Sequence, residues 1–157
     1  MSTQIKKVPD EYGSVVIYIT VRNGSAAIDF YKRAFNAVEI GRLTMGNIIA
    51  HGEIQIGDTR IMLADEMPEW GNHSPLSLNG TSVGLCIYTE DADKMYDQAI
   101  TAGATAIPGM EVKDQFYGDR SGTVLDPFGY KWTLATHIED VDFNEMQKRM
   151  MAMPAPE

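Results

Sequence analysis

His51 and Glu53 stand two positions apart in His51-Gly-Glu-Ile-Gln-Ile-Gly-Asp58. On a β-strand that spacing places both side chains on one face. There a carboxylate can orient an imidazole that takes a proton from a substrate, or the two can share an ion. The plainer reading is a hydrogen-bonded pair on a polar wall. His73 lies in the polar stretch Asp65 to Ser82 and reads as a solvated residue. His137 closes a strand just before Glu139 and Asp140, so it is expected to hold that turn by hydrogen bonds and to titrate near neutrality. Arg120, in Phe116-Tyr117-Gly118-Asp119-Arg120, presents a planar fork of donors suited to a carboxylate or phosphate. Pairing with Asp119, or locking the turn against Glu139-Asp140, would use the same fork structurally.

These residues must be positioned by strands and helices, and the chain contains the same order of elements twice. Val15 to Val21 is β-branched and aromatic and reads as a strand. Ser25 is a candidate N-cap for a helix in which Ile28, Tyr31 and Phe35 recur at helical spacing. Strands are predicted at 38–43, 48–56 and 60–64, with Gly57-Asp58 as a hairpin turn. The second half repeats the order: a strand at 83–89, a helix at 91–102 with Met95, Tyr96 and Ala99 on its apolar side, then strands at 105–107, 122–125 and 130–136. Arg60-Ile-Met-Leu-Ala64 matches Lys131-Trp-Thr-Leu-Ala135 in place and type. The chain thus reads as one α+β domain over 1–157, with a first βαβββ module at 15–64, an intermodule loop at 65–82 and a second module at 83–137. A helix and fraying tail occupy 138–157.

Composition excludes several functions. With 157 residues, 44% hydrophobic and 22% charged, the chain can bury a core without staples. Its one cysteine, Cys86, rules out an intrachain disulfide and a cysteine-based zinc site, and it reads as a small buried hydrophobe. A net charge of −9 opposes nucleic-acid binding. No run of about 18 apolar residues is present, and the segment beginning Met1-Ser-Thr lacks a secretory-type apolar run. A cytoplasmic protein with no membrane partner is expected.

The combined motifs resemble the vicinal oxygen chelate superfamily of glyoxalase I, bleomycin-resistance proteins and extradiol dioxygenases, and its PhnB-like branch in particular. They are Ala27-Ile-Asp-Phe-Tyr-Lys-Arg-Ala-Phe35, His51 to Asp58, Met62-Leu-Ala-Asp-Glu66, Tyr117-Gly-Asp-Arg120, Asp126-Pro-Phe-Gly129 with Trp132, and Ala135 to Asp140. The resemblance implies two curled sheets around a central cavity, helices on the convex faces, a small-molecule ligand and commonly a homodimer. Metal-using members carry His and Glu ligands at positions that transfer to Val16, Met62, Gly84 and Thr133. None of these is a competent ligand for a hard divalent ion, so no family-type metal centre or other cofactor is expected, and a non-standard ion site at His51 and Glu53 stays open.

Period-2 alternation then assigns faces. Ile17, Ile19, Val21, Ile54, Ile56, Ile61, Leu63, Leu85, Ile87, Trp132 and Leu134 suit the helix side. Tyr18, Thr20, His51, Glu53, Met62, Cys86, Tyr88 and Thr133 face the cavity. Tyr18 and Tyr88, at similar places in the two first strands, suit a pocket wall, and Met62 suits apolar lining. Phe116, Tyr117 and Arg120 extend the candidate ligand set, and Trp70 is a candidate lid, a core residue or a dimer contact. Three functions follow: sequestration of an aromatic or planar molecule; glyoxalase- or lyase-type catalysis with His51 as base and Glu53 as orienter; or a structural or regulatory dimer with a vestigial cavity.

Overall fold

A computed structural model describes residues 5–154. The fraying expected of the tail falls, apart from Pro154, on residues outside that range. The chain is α+β and divides into two compact units between Thr81 and Ser82. In the first unit β1 (Ile17–Val21), α1 (Gly24–Phe35), β2 (Val38–Met45), β3 (Ile48–Ile56) and β4 (Thr59–Asp65) follow in order. They form an open mixed sheet ordered β1-β4-β3-β2, with β1 parallel to β4. The stretch after β4 is shorter in irregular chain than the sequence suggests. It holds a 3-10 turn at Pro68–Trp70 and the short helix α2 (Pro75–Leu78). Glu66 ties it down, accepting hydrogen bonds from Arg22, the Ser74 amide and the Ser77 hydroxyl. Those donors hold its carboxyl near pKa 2.

In the second unit β5 (Gly84–Tyr88), α3 (Ala92–Ala102), β6 (Thr105–Ala106), β7 (Lys113–Asp114), β8 (Asp119–Leu125), β9 (Lys131–His137) and α4 (Phe143–Met151) follow. The sheet order is β5-β9-β8-β6, and β7 pairs with β8. Strand β8 begins three residues before the predicted strand start, and β7 has no counterpart in the sequence reading. Both arise because Gly118, at φ +99°, turns the chain tightly enough to extend the β8–β9 ladder to Asp119↔His137.

The cores form where alternation puts them, except that Ile17, at the start of β1, is exposed and Ile87 is half-buried. Ile19, Val21, Ile54, Leu63, Trp132 and Leu134 are buried, and α1 packs Ile28, Tyr31 and Phe35 onto the first sheet. Two local expectations change. The N-cap of α1 is Asn23, not Ser25. Its side chain accepts from the Ala26 amide while its backbone sits in the left-handed region, which asparagine tolerates better than most residues. Cys86 is exposed, not buried, because alternation turns it away from the helix-facing Leu85.

Candidate functional site

The first sheet brings His51 and Glu53 together. His51 Nε2 lies 3.1 Å from Glu53 Oε1, and His51 Nδ1 lies 2.9 Å from the Tyr18 hydroxyl. An ionised carboxylate only accepts, so Nε2–H donates to Glu53, while Nδ1 meets the Tyr18 hydroxyl. Two residues outside the sequence-predicted set complete the group. The Tyr12 hydroxyl donates to both Glu53 oxygens, at 2.8 and 2.7 Å. Arg60 Nη1 reaches Glu53 Oε2 at 3.3 Å, and its guanidinium carbon sits 5.3 Å from the Tyr12 ring centroid.

The bonds from Tyr12 and then His51 lower the pKa of Glu53 below the usual carboxylate range. The same Tyr12–Glu53 bond raises the Tyr12 phenol. Burial, and then the charge of Glu53, raises Tyr18. Glu53 is therefore a fixed acceptor surrounded by protonated donors.

Tyr12, His51, Glu53 and Arg60, but not Tyr18, line a cleft of about 420 Å³ together with Arg42 and Leu43. Gly41 also lines it, standing opposite Glu53 in the β2–β3 ladder, and a Cβ there would meet nothing within 4 Å. Arg60 Nε is buried with no hydrogen-bond partner among the described residues. The cleft has the composition of a small-molecule site: apolar surface with a few converging polar groups. Arg60 shares the face of Met62 by alternation, so sequence could have flagged it. Tyr12 lies in a segment with no periodicity, and nothing in the sequence ties it to Glu53.

The other predicted residues separate. Thr20 and Met62 are half-buried, with Met62 paired to Tyr18 across β1 and β4. Trp70 is 68% exposed, which removes the core reading. Tyr88 is not the counterpart of Tyr18: Tyr18 pairs with Met62, whereas Thr133, which matches Met62, pairs with Cys86, and Tyr88 pairs with Ala135. The Tyr88 hydroxyl instead donates to buried Asp119 at 2.7 Å, and that bond pushes the phenol up to about 12. Asp119 also meets His137 Nδ1 at 2.9 Å, and Asp140 meets His137 Nε2 at 2.8 Å. His137 thus holds the strand end.

Arg120 pairs with neither Asp119 nor the 139–140 turn. Successive strand residues point to opposite faces, so Arg120 turns away from Asp119. It binds Asp93 through two nitrogens, at 2.6 and 2.8 Å, and Asp114 at 2.9 Å. Its fork is filled by protein carboxylates. Arg149 takes the expected place at the turn, bonding Glu139. Phe116 and Tyr117 meet edge to face. Tyr117 lines a smaller cleft of about 240 Å³ with Lys113, Gln115, Ser121, Thr123 and Thr133.

The family-type metal positions do not fit a divalent ion. Val16 and Gly84 supply no donor, Met62 supplies a thioether, and Thr133 a hydroxyl 2.9 Å from that of Thr123. Among the described residues no group of three or more His, Cys, Asp or Glu side chains is placed to hold an ion.

Comparison with known proteins bears on the fold and the family. An uncharacterized protein of Mycobacterium tuberculosis is 39% identical over 138 residues, covering 85% of this chain and 79% of that one. The crystal structure of an Arabidopsis thaliana gene product superposes with a TM-score of 0.64 at 26% identity, covering 79% of this chain and 98% of that one. TioX from Micromonospora sp. ML1 superposes with a TM-score of 0.62 at 22% identity, covering 80% and 100%, and shares the fold. No described helix is long and apolar enough to cross a membrane. The family model of the Glyoxalase/Bleomycin resistance protein/Dioxygenase superfamily matches residues 13–134, and the chain belongs to that superfamily.

Proposed function

We propose that this protein is a PhnB-like member of the superfamily that binds a small aromatic or planar molecule in the cleft of its first unit and sequesters it. One observation carries the reading: His51, Glu53, Tyr12 and Arg60 form a bonded set lining a cleft beside Gly41, with Tyr18 joined to the set through His51. Such a set recognises shape and a few hydrogen bonds, and needs no ion at Val16, Met62, Gly84 or Thr133. A homodimer in the cytoplasm is part of the proposal. The edge strand β2, with Val38, Leu43 and Met45 exposed, supports self-association, and the lone free thiol of Cys86 suits a reducing compartment.

A thermal-shift screen of planar aromatic compounds tests the reading, with wild type beside Gly41→Leu. The leucine fills the cleft where space is open, so its own melting point should stay close to wild type. Compounds that stabilise wild type should lose their effect in the variant. A screen in which every stabilising compound acts equally on both proteins rejects the cleft.

The Glu53–His51–Tyr18 chain favours a second reading, acid–base catalysis of glyoxalase or lyase type. Turnover of a methylglyoxal–thiol adduct, lost in both His51→Gln and Glu53→Gln, would establish it over sequestration. Binding without turnover favours the first.

A further inference from the structure

We propose that Tyr12 is an internal occupant of the first-unit cleft, and that the site's ligands are neutral hydroxyaromatic molecules that displace it. This rests on reading the cleft as a small-molecule site. The segment from Ile5 to Val15 carries no strand or helix, and its side chains lie in solvent except that of Tyr12. Ile5 and Val15 are 89% and 88% exposed. The Tyr12 amide makes a local bond, to the Pro9 carbonyl. Among the described residues, what holds the segment at the sheet is one phenol, donating to both oxygens of Glu53 while its ring lies against the Arg60 guanidinium.

The receiving groups are of another kind. Glu53 and Arg60 stand on β3 and β4, the two inner strands of the sheet, with Glu53 also fixed by His51. A rigid acceptor and a cationic face thus receive a phenol from a strap that has little else to lose on leaving. A free molecule with an aromatic ring and a hydroxyl donor satisfies the same two groups. An aromatic carboxylate does not, because it offers no donor and meets the charge of Glu53. Tethering gives Tyr12 an effective concentration of about millimolar, so an incoming ligand binds wild type more weakly than it binds a protein lacking the phenol.

The probe is p-cresol, the side chain of tyrosine as a free molecule, with toluene and 4-methylbenzoate as controls. Titration calorimetry should show p-cresol binding Tyr12→Ala at least tenfold more tightly than wild type, with Tyr12→Phe between them. Neither control should bind, and Glu53→Gln in the Tyr12→Ala background should weaken p-cresol at least tenfold. Trypsin reads the strap in wild type: cleavage after Lys6 and Lys7 should accelerate on adding p-cresol. Equal p-cresol affinity in wild type and Tyr12→Ala overturns the proposal, as does no binding to either, or unchanged cleavage at saturation. If planar compounds nonetheless bind in a manner abolished by Gly41→Leu, the cleft stands as a site and only the role of Tyr12 falls.

Discussion

The indole Nε1 of Trp132 donates to Asp126 Oδ2 at 2.9 Å, both residues being buried. Asp126 Oδ1 meanwhile accepts from the amides of Phe128 and Tyr130, at 2.8 and 2.9 Å. One carboxylate thus shapes the turn of Asp126-Pro-Phe-Gly129 and satisfies the largest core side chain of the second unit. Asp126→Ala strands three donors in the core and should cost about 3 kcal/mol or more. Asp126→Asn, which keeps acceptor oxygen, should cost less. Urea denaturation of the two variants checks the order.

Gly118 should tolerate no side chain. Its φ is +99°, and a Cβ there would run into the Glu139 carbonyl. The backbone carbonyl of Gly118 also receives the amides of Ile138 and Glu139. Gly118→Ala should destabilise by about 2 kcal/mol and loosen the Asp119–His137 contact. Faster amide exchange at Ile138 and Glu139 measures that loosening.

His137 should make stability depend on pH around neutrality. Its bonds to Asp140, first, and Asp119 raise its pKa above the ordinary value. A folded-state pKa above the unfolded one means the imidazolium stabilises the fold fully below about pH 6.5. That contribution is lost as pH rises through the folded-state value. Wild type should therefore lose stability over this range relative to His137→Gln, whose profile should be flatter. Melting curves from pH 5 to 9 compare them.

Arg120 should prove structural. Asp93 and Asp114 occupy its fork, so Arg120→Ala should lower the melting point slightly and leave ligand affinity unchanged. A large loss of affinity in calorimetry would restore it to the binding set.

Much of the fold was legible because period-2 alternation and the repeated order of elements are local signals. They placed Ile19, Ile54, Leu63, Trp132 and Leu134 on the helix side, and they put His51 and Glu53 on one face. What escaped depends on contacts distant in sequence or on a turn. Tyr12 meets Glu53 across 41 positions from a segment without periodicity. Asp119 looked like a neighbour for Arg120, yet pleating sends the two to opposite faces, and its partners Tyr88 and His137 lie 31 and 18 positions away. Tyr18 and Tyr88 looked equivalent because a two-residue offset along a strand keeps the face and hides the change of register.

The most direct test of the first-unit cleft is amide chemical-shift mapping with the strongest stabilising compound from the planar panel. The perturbed amides should cluster at Gly41, Leu43, His51, Glu53 and Arg60, and Tyr12 should move with them. Perturbations confined to residues such as Lys113, Ser121 and Thr123, with positions 41 to 60 unmoved, would contradict the account.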